Sequence, residues 1–221
     1  MDGAQHERVG DEGMRYIHGR PGDRGFQPVI HAMGDKAVDA ALTLIEKTSK
    51  ELPRKGVRYR IEQASVLNKG LLEQMKKQKV IVSVQPRVIA SEFSEWSALE
   101  HLGPKRARWL YPLKTLLKEG IKVIGGSDCP MEPLSPLLGI QSAVTRDHIP
   151  EERITVDEAL RIYTVDAAYA SFEENSKGSI ETGKLADLAI ISRDPHETPP
   201  SEIGNIEIDM TIIGGRVVYT K

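Results

Sequence analysis

Four short apolar segments, separated by helical patterns, constrain the fold of this chain more than any other feature. The pattern predicts strands at 26–31, 57–63, 80–85 and 122–126, and helices at 35–50, 69–78 and 113–119 between them. Strands that alternate with helices at a spacing of roughly 25–40 residues indicate βαβ units, whose strands lie parallel in one sheet. The central part of the chain is therefore predicted to be an α/β unit.

The last part of the chain has a different character. A helix is predicted to begin at Thr155, because Thr155 and Glu158 have the spacing of a capping box. An apolar strand at 185–192 follows, and the pair Gly214-Gly215 between two further apolar runs is a hairpin signal. We therefore divide the chain into an irregular lead-in at 1–25, a main unit at 26–177 and a β segment at 178–221.

Composition argues against several classes of partner. The 221 residues carry a formal net charge of −2, so no global positive charge favours nucleic acid or an anionic membrane. No apolar stretch approaches the roughly 18 residues of a membrane span. Cys129 is the only cysteine, so no disulfide can form within the chain, and we expect a reducing, cytoplasmic environment.

Each predicted strand ends at, or just before, a polar side chain. These strand-end residues are His31, Gln63, Gln85 and Asp128. Because the carboxyl ends of parallel strands meet at one edge, the four side chains are predicted to face a common mouth. Imidazole and carboxylate both suit zinc, which makes His31 and Asp128 candidate metal ligands. Two plainer interpretations stay open, with His31 as a hydrogen-bonded structural residue and Asp128 as a cap of the following segment.

Five motifs in order carry a resemblance to a known family. They are His31-Ala-Met-Gly-Asp35, Arg60-Ile-Glu-Gln63-Ala, Val82-Ser-Val-Gln85-Pro, Gly126-Ser-Asp128-Cys-Pro and the run from Gly178 through Thr-Gly-Lys to Leu188. As an ordered set they resemble the C-terminal part of a metal-dependent amidohydrolase of the amidohydrolase-3 (YtcJ-like) family. The similarity runs from about residue 26 to the end of the chain.

The resemblance implies a partial (β/α)8 barrel of the TIM type, holding strands 5 to 8, with a C-terminal segment of a β-sandwich. It implies a hydrolase acting on carbon–nitrogen bonds other than peptide bonds, with a small amide-type substrate and a divalent metal, zinc by preference. His31 matches the strand-5 ligand, and Asp128 matches the strand-8 aspartate that binds metal and acts as catalytic base. Gln63, where the family usually has histidine, is assigned to the substrate together with Gln85 and Arg106.

The sequence lacks part of what such a site needs. No His-x-His occurs in it, and 221 residues leave no room for barrel strands 1 to 4. With at most two of the usual ligands, the isolated chain is expected to hold metal weakly or not at all. We expect a truncated fragment that self-associates or pairs with a missing N-terminal half through an apolar face formed by Val29, Ile61 and Val82. The alternative is a catalytically inactive half-barrel that acts as an assembly or binding module.

Overall fold

A four-stranded parallel sheet forms the centre of the protein. The computed structural model describes residues 27–94 and 98–221, so the predicted lead-in at 1–25 lies outside the described residues. The strands are β1 (Val29–Ala32), β2 (Arg60–Gln63), β3 (Ile81–Val84) and β4 (Lys122–Gly125), paired in chain order with β1 and β4 outermost. All three pairings are parallel, which confirms the predicted α/β arrangement.

Helices connect the strands and follow the sheet. They are α1 (Asp35–Glu51), α2 (Lys69–Gln78), α3 (Pro86–Ser94), α4 (Ala98–Ala107), α5 (Leu113–Lys118), α6 (Pro136–Thr145), α7 (Val156–Tyr163) and α8 (Val165–Ala170). Helix α2 begins after Asn68, whose side chain accepts a hydrogen bond from the Leu71 amide at 3.1 Å. The predicted capping box at α7 is confirmed, because Thr155 and Glu158 exchange side chain to backbone hydrogen bonds. No helix among the described residues is long and apolar enough to cross a membrane.

The prediction that Val29, Ile61 and Val82 form one exposed apolar face of the sheet is wrong. Ile61 and Val82 are fully buried in the hydrophobic core that the helices form with the sheet, so they do not form an exposed apolar face. Val29 is 43% exposed, and it pairs in register with Arg60 rather than with Ile61. Because side chains alternate along a strand, Val29 points to the face opposite Ile61 and Val82.

Arg58, two residues before β2, forms an arginine clamp with the end of α8 and the residues that follow it. The Arg58 guanidinium lies 3.7 Å from the Tyr169 ring centroid and 4.2 Å from that of Phe172. It also pairs with Glu174, and its hydrogen bond lowers the pKa of that carboxyl to about 2. The clamp therefore fixes residues 169–174 beside the amino end of β2.

Helix α8 covers the amino-terminal end of the second sheet face. Ala170 packs against Ile81 and Ile124, and the Lys122 ammonium lies 2.7 Å from the Asp166 carboxylate. The chemistry-bearing strand ends lie at the opposite, carboxyl edge of the same sheet. The helix thus closes one end of this face and leaves the other to the candidate site.

A separate antiparallel sheet follows. It consists of β5 (Leu188–Ile191), β6 (Ile208–Ile213) and β7 (Arg216–Thr220), in that order. The predicted hairpin is confirmed, because Gly214 and Gly215 adopt positive φ values of 56° and 79° between β6 and β7. Every residue of β7 is exposed.

A histidine bridge connects the segment between β5 and β6 to helix α7. The two ring nitrogens of His196 each lie 2.9 Å from a carboxylate, that of Asp194 on one side and that of Asp157 in α7 on the other. Hydrogen bonds to these two carboxylates raise the pKa of His196, Asp157 contributing most. The bridge is therefore strongest when the imidazole is protonated.

Candidate active site at the carboxyl edge of the parallel sheet

The sheet topology brings the four predicted strand-end residues to one edge. His31 lies near the end of β1, Gln63 ends β2, Gln85 follows β3, and Asp128 follows β4 by three residues. Since β1 and β4 are the outer strands, His31 and Asp128 flank Gln63 and Gln85. Barrels of parallel strands that alternate with helices place their chemistry at this edge.

Asp128 is held by the end of β2, which lies two strands away from β4 in the sheet. Gln63 Nε2 donates a hydrogen bond to Asp128 Oδ2 at 3.2 Å. The other end of the Gln63 amide, Oε1, accepts a hydrogen bond from the Tyr111 hydroxyl at 2.9 Å, and that hydroxyl accepts one from Ser65 Oγ at 2.7 Å. Ser65, Tyr111 and Gln63 are all buried, while Asp128 is half-buried. A row of buried polar groups therefore leads to the candidate base.

The backbone of this row is strained. Gln63, Ala64, Tyr111 and Asp128 all have positive φ, at 73°, 46°, 43° and 65°, and they make up four of the seven non-glycine residues of that kind in the described chain. A residue with a Cβ atom disfavours this conformation, which costs on the order of 1–3 kcal/mol at each position. Such residues cluster at functional sites because the surrounding structure has to hold them in place.

A buried arginine holds the strained Tyr111 backbone. Arg146 is 3% exposed, and its guanidinium donates to the carbonyl oxygens of Tyr111 and Leu110, each at 2.6 Å. Its Nε donates to the carbonyl oxygen of His148 at 2.9 Å. Burial lowers the pKa of Arg146 to about 10, so the guanidinium remains charged at neutral pH. The Tyr111 hydroxyl is thus presented to Gln63 from a fixed backbone.

Tyr163 braces the segment that leads to Asp128. Its hydroxyl donates to the carbonyl oxygen of Gly126 at 3.3 Å, and burial raises the pKa of this phenol. A Cβ atom on Gly125 would lie 2.7 Å from the Tyr163 ring, and one on Gly139 would lie 2.0 Å from its hydroxyl. Glycine is therefore required at both positions for the ring to lie against the end of β4.

The remaining predicted site residues lie on both sides of this row. His31 is exposed at the β1 side of the edge. Arg106, in α4, donates to Asp35 Oδ1 at 2.9 Å, which places its guanidinium beside the start of α1. Gln85 is 6% exposed, and its Oε1 accepts no hydrogen bond among the described residues. A buried acceptor of this kind calls for a ligand or water as its partner.

Sequence reasoning missed Ser65, Tyr111 and Arg146. Ser65 follows the strand end by two residues and could have been suspected from its position. Tyr111 reaches Gln63 across 48 residues, and Arg146 reaches Tyr111 across 35, so no local pattern marks either contact. The three residues act through long-range packing.

Comparison with known proteins decides the family. The model of the Amidohydrolase family matches residues 4–219, which includes most of the segment at 1–25. This chain belongs to the amidohydrolase family. It is 35% identical over 220 residues to the putative amidohydrolase YtcJ of Bacillus subtilis, covering 96% of this chain and 41% of that protein. It is 30% identical over 208 residues to an N-substituted formamide deformylase of Arthrobacter pascens, covering 89% of this chain and 37% of that protein.

Solved structures place the fold in the same family. An uncharacterized metal-dependent hydrolase from Pyrococcus furiosus superposes with a TM-score of 0.73 at 35% sequence identity, covering 84% of this chain and 37% of that one. A related hydrolase from Pyrococcus horikoshii gives a TM-score of 0.70 at 34% identity, covering 80% of this chain and 36% of that one. This amidohydrolase chain thus spans roughly two fifths of the length of these relatives.

The two Pyrococcus relatives are metal-dependent hydrolases, so the side chains that this chain could offer to a metal are relevant. Among residues 27–94 and 98–221, no group of three or more His, Cys, Asp or Glu side chains could hold a metal ion. Catalytic zinc keeps three protein ligands, so the two predicted ligands, His31 and Asp128, would need at least one more. Gln63 does not supply a further ligand, because its carbonyl oxygen accepts a hydrogen bond from the Tyr111 hydroxyl and its amide nitrogen donates one to Asp128.

Proposed function

We propose that this chain is one part of a metal-dependent hydrolase that acts on carbon–nitrogen bonds other than peptide bonds. In this proposal residues 26–177 form strands 5 to 8 of a (β/α)8 barrel, and residues 178–221 form one part of a β-sandwich. Family membership and the greater length of the relatives support it. The observation that carries the proposal is the Asp128 carboxylate, held by Gln63 at the carboxyl edge of a parallel sheet.

The proposed roles follow from the chemistry of each side chain. Asp128 is the catalytic base, which accepts a proton from the attacking water, and it shares a divalent metal with His31. Zinc suits this pair of donors and would supply the activated water. The further ligands come from a second polypeptide or from residues outside the described ranges.

The substrate side of the proposal rests on Gln85 and Arg106. The buried Oε1 of Gln85 is an acceptor without a partner among the described residues, which suits an N–H group of an amide-type substrate. Arg106 is 52% exposed and paired with Asp35, so it is available to a polar or anionic part of the same molecule. The name of the formamide deformylase relative supports the class of an N-substituted amide.

Metal binding tests the roles of His31 and Asp128. We expect the purified chain to take up zinc reversibly and to lose it on dialysis against a mild chelator, as measured by elemental analysis. His31→Ala and Asp128→Ala should each abolish the uptake, while His148→Ala, at an exposed histidine away from the strand ends, should leave it unchanged. Equal uptake by all four proteins would contradict the proposed ligands. Zinc that survives dialysis stoichiometrically would contradict the incomplete set.

One observation favours the alternative of an assembly module. Strand β7 is an edge strand with every residue exposed, including Val217, Val218 and Tyr219 at 55%, 57% and 49%. Unpaired edges with apolar side chains invite the addition of another strand. We expect the chain to self-associate at low micromolar concentration in sedimentation velocity, and Val218→Lys to shift it toward monomer. A wild-type chain that sediments as a stable monomer would contradict the assembly role.

A further inference from the structure

The hydrogen bonds of the buried row beside the candidate base all run toward Asp128. Ser65 Oγ donates to the Tyr111 hydroxyl, that hydroxyl donates to Gln63 Oε1, and Gln63 Nε2 donates to Asp128 Oδ2. Hydrogen bonds that run in one direction polarise and strengthen one another in a buried environment. The row therefore ends in a donor directed at a carboxylate oxygen.

The orientation of the Gln63 amide follows from its two neighbours. A carboxylate only accepts hydrogen bonds, so the group that faces Asp128 has to be the amide NH2. Turning the amide over would place its carbonyl oxygen against Asp128 Oδ2, with two acceptors at about the present 3.2 Å. It would also remove the acceptor that the buried Tyr111 hydroxyl uses. The surrounding groups therefore permit one orientation.

We propose that Gln63 is a positioning residue, held by Tyr111, that fixes the carboxylate of Asp128 for catalysis. This inference rests on the proposed role of Asp128 as base. Gln63 donates to Oδ2, while Oδ1 accepts no hydrogen bond among the described residues, so the contact holds one of the two carboxylate oxygens. Arg146 anchors the backbone of Tyr111 and completes the support.

A histidine at position 63 would offer the same donor and acceptor pattern as glutamine. A neutral imidazole has one N–H donor and one acceptor nitrogen, and a primary amide likewise has both an N–H donor and an acceptor oxygen. Either side chain can accept from Tyr111 and donate to Asp128. The inference therefore predicts that Gln63→His preserves the contact to Asp128 and that Gln63→Leu removes it.

Side-chain NMR of the full chain tests this without metal or substrate. In the wild-type protein we expect slow hydrogen exchange of the Gln63 side-chain amide and a carboxylate ¹³Cγ resonance of Asp128 that is sensitive to position 63. Tyr111→Phe should speed the Gln63 amide exchange roughly tenfold, the factor for one buried hydrogen bond, and should shift the Asp128 resonance. Ser65→Ala should move both signals less and in the same direction. Gln63→Leu should shift the Asp128 resonance, and Gln63→His should restore it toward the wild-type position.

Tyr59→Phe is the matched control, since Tyr59 is also a buried tyrosine whose hydroxyl accepts from a serine, Ser49, at 3.2 Å. It should leave both signals unchanged. An Asp128 resonance that ignores both Gln63→Leu and Tyr111→Phe overturns the inference. A Gln63 amide that exchanges in the wild type as fast as an exposed glutamine does the same. Neither result depends on metal binding or turnover, so failure here is separate from failure of the proposed function.

Discussion

Replacing Tyr111 by phenylalanine tests the buried polar row through stability. The change removes one oxygen atom and keeps the ring, which is fully buried. Two buried groups then lose a partner, Ser65 Oγ, in a residue that is 2% exposed, and Gln63 Oε1, in a residue that is 6% exposed. The loss is therefore almost purely one of hydrogen bonding.

The magnitude follows from what each group can do afterwards. A typical buried hydrogen bond contributes about 0.5–1.5 kcal/mol net, and a buried acceptor left without a partner costs about 1–3 kcal/mol. The Ser65 hydroxyl can rotate to another acceptor, but the Gln63 carbonyl oxygen cannot turn away without bringing its amide out of register with Asp128. We expect Tyr111→Phe to lower the free energy of unfolding by about 2–4 kcal/mol. For a chain of this length, the midpoint temperature of thermal unfolding should fall by roughly 5–15 °C.

Urea unfolding followed by tryptophan fluorescence measures the effect, with Tyr59→Phe as control. The Tyr59 hydroxyl accepts a longer bond from Ser49, at 3.2 Å, so that variant should lose no more than about 1.5 kcal/mol. A Tyr111→Phe protein as stable as Tyr59→Phe would refute the reasoning. In a double-mutant cycle, Ser65→Ala and Tyr111→Phe should couple by about 0.5–3 kcal/mol, since they share one bond. Strict additivity would show that the row is not a unit.

Two further predictions concern the ion pairs that hold distant segments together. Arg58→Met should lower the free energy of unfolding by about 1–3 kcal/mol, while Lys76→Met at the exposed pair with Glu119 should change it by less than about 0.5 kcal/mol. Because the pKa of Glu174 is lowered, the Arg58 contribution is present above the unfolded-state pKa and should fade in urea titrations as pH falls toward about 2. His196 has a raised pKa, so the stability difference between wild type and His196→Ala should be largest below about pH 6.5 and should vanish as pH rises through the folded-state pKa. A difference that grows with pH would contradict the bridge.

Local patterns predicted the framework well, because the physics that sets it is local. Helix α2 begins and ends at the predicted residues 69 and 78, since Asn68 caps its start and Lys79 ends it in a left-handed conformation. The four parallel strands lie in the predicted order. Each strand is shorter than its apolar run, because residues such as Tyr59 and Val80 are buried in the core without belonging to the sheet ladder.

The site was predictable only in its outline. The ends of the predicted strands placed Gln63 and Asp128 at one edge. Whether Val29 lies on the same face as Ile61 depends on the strand register, and a shift of one residue moves Val29 to the other face. The left-handed backbone at Gln63 and Tyr111 could not be predicted, because neither position holds glycine or asparagine, the residues that usually indicate it. The contacts that support Asp128 join segments 35 to 65 residues apart, and packing of the whole fold determines them.

The same buried row leads to a prediction about the metal site that differs from what residue type alone suggests. Judged by residue type alone, Gln63→His would be expected to supply a third donor beside His31 and Asp128. Yet the Tyr111 hydroxyl donates its proton toward position 63, so the acceptor nitrogen of the new imidazole faces Tyr111 and its N–H faces Asp128. A nitrogen that carries a proton cannot bind zinc.

We therefore expect Gln63→His alone to retain no more zinc than the wild-type chain after dialysis. Gln63→His combined with Tyr111→Phe should retain more, because the imidazole is then free to turn its acceptor nitrogen toward the mouth of the site. Tyr111→Phe alone controls for any loosening of the fold. If Gln63→His alone gains as much zinc as the double variant, Tyr111 does not set the polarity of this position. In that case the incompleteness of the metal site would lie in residue 63 itself rather than in ligands from outside the described residues.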